Sequence, residues 1–112
     1  MENLAILFHN PRCSKSRGAL QILEDNKISF RVLNYLEDGI DLKLLKALPK
    51  LLNLPYSAFV RKGEDSYVEQ TSDEGWIELI QNHPIVLERP IFINGDRAVI
   101  GRPPENILEL IK

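Results

Sequence analysis

Apolar and polar positions along the first third of the chain predict a strand, a helix and a second strand. Residues 4–8 form a short apolar run that ends at the turn signal Asn10-Pro11, which is typical of a buried strand. Helical spacing then places four apolar side chains on one face: Ala19, Leu20, Ile22 and Leu23. Residues 29–35 alternate enough to predict a second strand, parallel to the first because a right-handed crossover joins them.

The middle of the chain has a helical pattern that prolines interrupt. Asp41 can cap a helix whose leucines recur to about Leu52, and Pro49 inside that helix should kink or split it. Residues 56–60 should form a short helix that Pro55 starts.

The last part of the chain combines one more amphipathic helix with a hairpin. Residues 71–74 have the spacing of a capping box, and an apolar helical face follows them. Residues 91–100 predict two strands joined by Asn94-Gly95, a pair that suits a tight hairpin turn. Residues 104–111 begin with proline and an acid, which predicts a final helix.

This element order predicts an α/β fold with a mixed sheet. A βαβ start and a ββα finish follow the order of the thioredoxin-like fold, and residues 38–84 would be a helical insertion into it. At 112 residues, the size prior predicts a single domain over residues 1–112.

Composition narrows the classes of function. With 44% hydrophobic and 27% charged residues the chain is globular, and its net charge of −2 gives no general attraction to nucleic acid or anionic lipid. Because no signal segment or long apolar run is present, we expect a cytoplasmic protein with a reduced thiol. We also expect a monomer. One cysteine and two distant histidines lack metal-ligand spacing, so no metal site is predicted.

The single cysteine falls where a helix would activate it. Cys13 stands at or just before the first turn of the predicted helix, where free N–H groups from Ser14 to Arg17 favour a thiolate and can form a nest for an oxyanion. Arg12, Lys15 and Arg17 add positive charge nearby, and thiols so placed commonly titrate below about 8.5. The alternative is that Cys13 is a small buried hydrophobe.

The residues around this cysteine resemble the glutaredoxin-linked arsenate reductase (ArsC) family, which has a thioredoxin-like fold with a helical insertion. The resemblance begins with the motif His9-Asn10-Pro11-x-Cys13 at a helix start. It continues in the family's order through Arg61-Lys62, His83-Pro84-Ile85, Arg89-Pro90-Ile91 and Gly101-Arg102-Pro103. Residues 13–17 and 101–105 resemble most the small bacterial branch often called YfgD-like.

The resemblance implies an arsenate reductase in which the Cys13 thiolate attacks arsenic. It implies that Arg61, Arg89 and Arg102 hold the arsenate, that glutathione is a co-substrate, that glutaredoxin releases arsenite, and that no cofactor is bound. The hairpin brings Arg89 and Arg102 to the same end of the sheet. The resemblance also implies a cis peptide bond between Arg89 and Pro90, facing the cysteine.

Other residues near the thiol have two interpretations each. His9 could tune the thiol or simply form a hydrogen bond in the turn, Ser16 can cap the helix, and Arg17 could tune the thiol or only solvate the helix start. Tyr35 is predicted to be a core residue, as are Phe59 and Trp76.

Two rival functions remain on the same scaffold. One is a glutathione-linked thiol oxidoreductase acting on another substrate. The other is a redox-responsive binding protein related to Cys-x-x-Cys regulators, although Ser16 replaces their second cysteine. The phosphatase-like arsenate reductases fit less well, because their loop requires an arginine six positions after the cysteine and Ala19 stands there.

Overall fold

A mixed sheet of four strands forms the centre of residues 5–111, the part of the chain that the computed structural model describes. The strands are β1 (Ala5–Phe8), β2 (Arg31–Leu33), β3 (Ile91–Asn94) and β4 (Arg97–Ile100). In space the order is β2-β1-β3-β4, with β1 parallel to β2 and antiparallel to β3, and β3 antiparallel to β4. The predicted thioredoxin-like α/β fold is confirmed. Residues 1–4 and 112 of the predicted domain, including the start of the predicted first strand, lie outside the described residues.

Helices cover both faces of this sheet, because its central strands are apolar on both sides. The α-helices are α1 (Ser14–Asp25), α2 (Tyr35–Asp38), α3 (Leu42–Leu52) and α4 (Asp73–Asn82). Shorter 3-10 helices span Tyr56–Phe59, Pro84–Val86 and Pro104–Leu110. Leu7 and Phe92 face α1 and the last 3-10 helix, whereas Ile6 and Phe8 face a larger core that includes α3 and α4. Alternate residues of one strand therefore pack into two separate cores.

The second strand is shorter than the sequence predicts. It ends at Leu33, and Asn34 starts a helical turn by accepting hydrogen bonds at its carbonyl from the N–H groups of Glu37 at 3.1 Å and Asp38 at 2.9 Å. Tyr35 is thus the first residue of α2 rather than a strand residue. Alternation alone does not distinguish a buried residue at a strand end from one in a helical turn.

The helix that contains Pro49 is continuous, so the split that the sequence allows, as the alternative to a kink, does not occur. It continues from Leu42 to Leu52. Proline has no N–H to give the carbonyl four residues earlier, that of Leu45. The buried hydroxyl of Tyr56 donates to this carbonyl at 2.9 Å and satisfies it from outside the helix.

Three local predictions are corrected in detail. The cap of α4 is Ser72, whose hydroxyl accepts from the Gly75 N–H at 3.1 Å, so the predicted capping box with Glu74 does not form. The hairpin turns at Gly95 and Asp96, because Asn94 still pairs with its partner in β4, and Gly95 has the positive φ of 68°. The predicted helices at 56–60 and 104–111 are present, but both are 3-10 helices.

Candidate active site

The cysteine lies at the junction between β1 and α1, as the sequence predicts. The strand ends at Phe8, and Cys13 is the N-cap residue of α1, with an extended backbone at φ −97° and ψ 123°. Asn10 holds the turn between them: its carbonyl accepts from the Cys13 N–H at 3.0 Å and its side-chain oxygen accepts from the Arg12 N–H at 3.0 Å. Cys13 is partly exposed, so a substrate can reach the thiol.

Helix N–H groups and one arginine favour the charged form of this thiol. Partial burial by itself raises the pKa of Cys13, because a charge is poorly solvated away from water. Hydrogen bonds from the backbone N–H groups of Ser16 and Lys15 lower that pKa, and so do the hydrogen bond and the charge of the Arg89 side chain. The net pKa lies below the ordinary value for cysteine, which increases the thiolate fraction available as a nucleophile.

The charge that acts on the thiol is not one of those predicted from the flanking sequence. The flanking cations are Arg12, Lys15 and Arg17. The charge that lowers the pKa of the thiol is instead that of Arg89, which is distant in the sequence. The Nη1 atom of Arg17 donates to the Pro11 carbonyl at 2.9 Å, and its backbone N–H donates to the Cys13 carbonyl at 3.0 Å. The predicted anion nest is therefore limited to the N–H groups of residues 14–16.

His9 and Ser16 join the turn to the helix. Ser16 Oγ lies 2.7 Å from His9 Nδ1 and accepts from the Asn10 N–H at 2.9 Å, and all three residues are buried. Burial and the charge of Arg17 lower the pKa of His9, outweighing a hydrogen bond with Ser16 that raises it. The ring is therefore neutral at neutral pH, and its link to the thiol passes through Ser16, whose backbone N–H contacts the sulfur.

An antiparallel bridge brings two of the predicted arginines together. Val60 pairs with Leu87, and the adjacent Arg61 N–H donates to the Val86 carbonyl at 2.6 Å. Both guanidinium groups then approach one carboxylate: Glu64 Oε2 lies 3.8 Å from Arg61 Nε. The same oxygen lies 3.9 Å from Arg89 Nη1.

The third predicted arginine supports the second. Arg102 Nη1 donates to the backbone carbonyl of Arg89 at 3.0 Å, and Arg102 Nε lies 3.9 Å from Glu88 Oε1. The Arg89-Pro90 peptide bond is cis, as expected from the resemblance, and the Arg102-Pro103 bond is also cis. The structure thus groups Arg61, Arg89 and Arg102, with Arg89 beside the thiol.

The sequence interpretation misses two residues of this site. Glu64 falls in a polar stretch without a pattern, and nothing in the sequence indicates that it bridges two arginines. Tyr35 is predicted as core, yet the charges of Arg89 and Cys13 both act on its hydroxyl. A signal for Tyr35 was available, because the parallel pairing of β1 and β2 puts the residues after both strands at one edge of the sheet.

The arrangement suits attack on an anionic electrophile. It combines a thiol of lowered pKa, N–H groups at the helix start that have no partner within the helix, and three arginines that can donate to oxygen atoms. Within residues 5–111, no group of three or more His, Cys, Asp or Glu side chains could hold a metal ion. No helix of this part of the chain is long and apolar enough to cross a membrane.

Known proteins resemble this chain over nearly its whole length. A family model described as "ArsC family" matches residues 8–110. The chain is 38% identical over 112 residues to "Uncharacterized protein YfgD" of Escherichia coli (strain K12), which covers 94% of each protein. It is 41% identical over 108 residues to an "Arsenate reductase" of Neisseria meningitidis serogroup B, covering 90% of this chain and 92% of that protein. The solved structure "Arsenate reductase from Vibrio cholerae" matches with TM-score 0.89 and 36% identity, covering 98% of this chain and 99% of that one.

Proposed function

The chain belongs to the ArsC family, and from this premise we propose that it is an arsenate reductase with Cys13 as nucleophile. The observation that carries the proposal is the position of Cys13 as the N-cap of α1 with Arg89 acting on its thiol. A thiolate in this position is both a nucleophile and a neighbour of anion-binding groups. The names of the relatives support arsenate as the anion.

Arsenate would bind between the helix start and the arginines. The backbone N–H groups of residues 14–16 can donate to one side of the anion, and Arg89 stands beside the thiol. Arg61 and Arg102 would add positive charge next to Arg89. Arg61 approaches the same Glu64 carboxylate as Arg89 does, and Arg102 donates to the Arg89 carbonyl. A guanidinium presents several donors in one plane, which suits the oxygens of a tetrahedral anion.

In the first chemical step, the Cys13 sulfur would attack arsenic and form a sulfur–arsenic bond. One arsenate oxygen takes up protons and leaves as water. Arsenic remains pentavalent in this adduct, so no electrons have yet been transferred to it. The helix N–H groups and the arginines would stabilise the negative charge on the remaining oxygens during the exchange.

Reduction to arsenite needs two electrons, which one thiol of this chain cannot supply alone. The sequence has a single cysteine, so the second thiol must come from another molecule. We propose that a glutathione thiol joins arsenic as a mixed thiol adduct while a second oxygen leaves as water. The glutaredoxin thiolate would then attack the glutathione sulfur, so that the bond from this sulfur to arsenic breaks and leaves its electron pair on arsenic. Water would release arsenite by breaking the Cys13–arsenic bond, which returns the Cys13 thiol, and the glutathione and glutaredoxin thiols end as a mixed disulfide. A reducing cytoplasm is the compartment in which this cycle would run.

The proposal is tested by measuring arsenite release from arsenate with purified protein. Wild type is compared with Cys13→Ser, in one series with glutathione and glutaredoxin and in another with thioredoxin and its reductase. We expect release in the first series by wild type only. Release in the thioredoxin series alone would correct the reductant, and absence of release by wild type in both would reject the activity.

The rival functions give different outcomes in the same experiments. A protein that forms a Cys13–glutathione mixed disulfide but releases no arsenite would be a thiol oxidoreductase for another substrate. A binding partner retained equally by wild type and Cys13→Ser would support a binding role.

A further inference from the structure

The hydroxyl of Tyr35 is a buried polar group that the protein itself does not satisfy. Tyr35 is 0% exposed, and its oxygen has no hydrogen-bond partner among residues 5–111. Buried hydroxyl groups are nearly always paired, since leaving one unpaired destabilises the fold. The ring itself is well placed, with its centroid 6.1 Å from that of Phe8. An unpaired hydroxyl on a firmly packed ring calls for a functional explanation.

The position of Tyr35 in the fold places it at the edge of the sheet that carries the thiol loop. It is the first residue of α2, two residues after the end of β2. Phe8 at the end of β1 is paired with Leu33 of β2, and the His9 N–H donates to the Leu33 carbonyl at 2.9 Å. The chain after β1 leads to Cys13, so both residues stand at the same edge of the sheet.

The charges that act on the Tyr35 hydroxyl are those of the candidate site. Burial is the main cause that raises the pKa of Tyr35 to about 12, and further contributions come from Arg89, Cys13, Arg61 and Glu88. The hydroxyl is therefore protonated at neutral pH and can donate a hydrogen bond.

A second donor in the same site is also unpaired. The Nε atom of Arg89 is buried without a partner among the described residues, while Nη1 of the same side chain donates to the Ile85 carbonyl at 3.2 Å. Tyr35 Oη and Arg89 Nε are the two buried side-chain polar atoms of residues 5–111 that have no partner. The charge of Arg89 acts on the Tyr35 hydroxyl, so the two unpaired donors belong to one part of the molecule.

We propose that Tyr35 is a substrate-binding residue, whose hydroxyl donates a hydrogen bond to an oxygen of the anion at Cys13 beside the N–H of Arg89 Nε. The ligand chemistry is that of a tetrahedral oxyanion, and arsenate as its identity rests on the proposed function. The neutral donor adds no charge to the site. The hydroxyl is covered in this structure, so the side chains over it must shift for the anion to reach it, and the hydrogen bond formed then contributes to affinity.

The test is the variant Tyr35→Phe, which keeps the ring and removes only the hydroxyl. Arsenate and sulfate are titrated as protectants of Cys13 against alkylation by iodoacetamide at fixed pH and ionic strength. We expect the protecting concentration to rise about 10- to 100-fold, as for loss of a hydrogen bond to a charged group. The melting temperature should not fall, because the hydroxyl makes no hydrogen bond within the described residues.

Tyr67→Phe is the matched control. Its hydroxyl is on the surface, 3.5 Å from Glu69, and we expect unchanged protection in this variant. Equal protection of wild type and Tyr35→Phe would overturn the proposal. If Tyr35→Phe does not fold, wild type labelled with ¹³C at tyrosine Cζ decides the question: the Tyr35 signal must shift when arsenate is added, and an unmoved signal overturns the proposal.

Failure of the proposed function has a different signature. Tyr35-dependent protection by oxyanions without arsenite release would reject the reductase activity and leave this assignment standing. Absence of protection of wild type by either anion would overturn the assignment, whatever the outcome of the activity assay.

Discussion

Arg102 donates from Nη1 to the backbone carbonyl of Arg89 at 3.0 Å, so one arginine of the site holds the main chain that presents another. Arg102 follows β4 and Arg89 precedes β3, and the antiparallel pairing of these strands brings them together. Arg102 thus has a positioning role in addition to its charge.

Replacement of Arg102 by Ala should weaken oxyanion binding more than it weakens the fold. The lost bond to a backbone carbonyl destabilises the protein by about 1 kcal/mol, whereas the anion site loses a charge and the support of Arg89. Urea unfolding and protection of Cys13 by sulfate measure the two effects. Arg97→Ala is the control, because Arg97 is exposed at the other end of β4. Loss of folding with full anion affinity would contradict this expectation.

The Cys13 thiol should react with iodoacetamide with a pH midpoint below about 8.5. Arg89→Gln should raise this midpoint, because the hydrogen bond and the charge of Arg89 lower the pKa of Cys13. Arg12→Gln changes a charge closer in sequence and should leave the midpoint unchanged. A larger effect of Arg12 than of Arg89 would show that the flanking cations control the thiol after all.

The lowered pKa of Cys13 also makes the free energy of unfolding depend on pH. The unfolded chain holds the thiol proton up to about pH 8.5, whereas the folded protein releases it at lower pH. Stability should therefore rise with pH through that interval, and the gain is lost as pH falls through the folded pKa. Urea titrations across the interval should show this rise in wild type, and Cys13→Ser should lack it.

Neutralising Glu64 should tighten anion binding. Its carboxylate lies 3.8 Å from Arg61 and 3.9 Å from Arg89, where it competes with an anion for both guanidinium groups. Because such part-exposed pairs are weak, we expect Glu64→Gln to improve sulfate affinity about two- to fivefold. Calorimetric titration at constant ionic strength measures it, with Glu69→Gln as a surface control. Weaker binding in Glu64→Gln would mean that the carboxylate orients the arginines.

Gly101→Ala should destabilise the fold by about 1–3 kcal/mol. A Cβ at this position would meet Pro90 Cγ at 2.9 Å and Ile107 Cδ1 at 3.3 Å, and neither neighbour can easily move. Gly63→Ala is the control, since a Cβ there has nothing within 4 Å. Equal melting temperatures of the two variants would show that the strand end adapts to the added methyl group.

The sequence predicts the parts of this protein that depend on local pattern. The strands that end at Phe8 and begin at Ile91 follow from apolar runs, and the placement of Cys13 follows from the turn and helix signals around it. The sequence predicts those residues of the site whose type and local surroundings are informative by themselves, as they are for Cys13.

What the sequence does not predict depends on contacts between distant residues. The hairpin and the family resemblance place Arg89 near Cys13, but the sequence does not predict that Arg89, rather than the flanking cations, lowers the pKa of the thiol. Glu64 joins the site through the bridge between Val60 and Leu87, a pairing too short to leave a pattern. The uninterrupted helix through Pro49 depends on a hydroxyl from another element.

That hydroxyl makes the order in which substitutions arise at positions 49 and 56 matter. With proline at 49, loss of the Tyr56 hydroxyl leaves the Leu45 carbonyl without the donor that it has now. If proline is replaced first, the new residue supplies an N–H to that carbonyl, and Tyr56 becomes free to change. A lineage can therefore reach the double replacement through a proline-free intermediate more easily than through a tyrosine-free one.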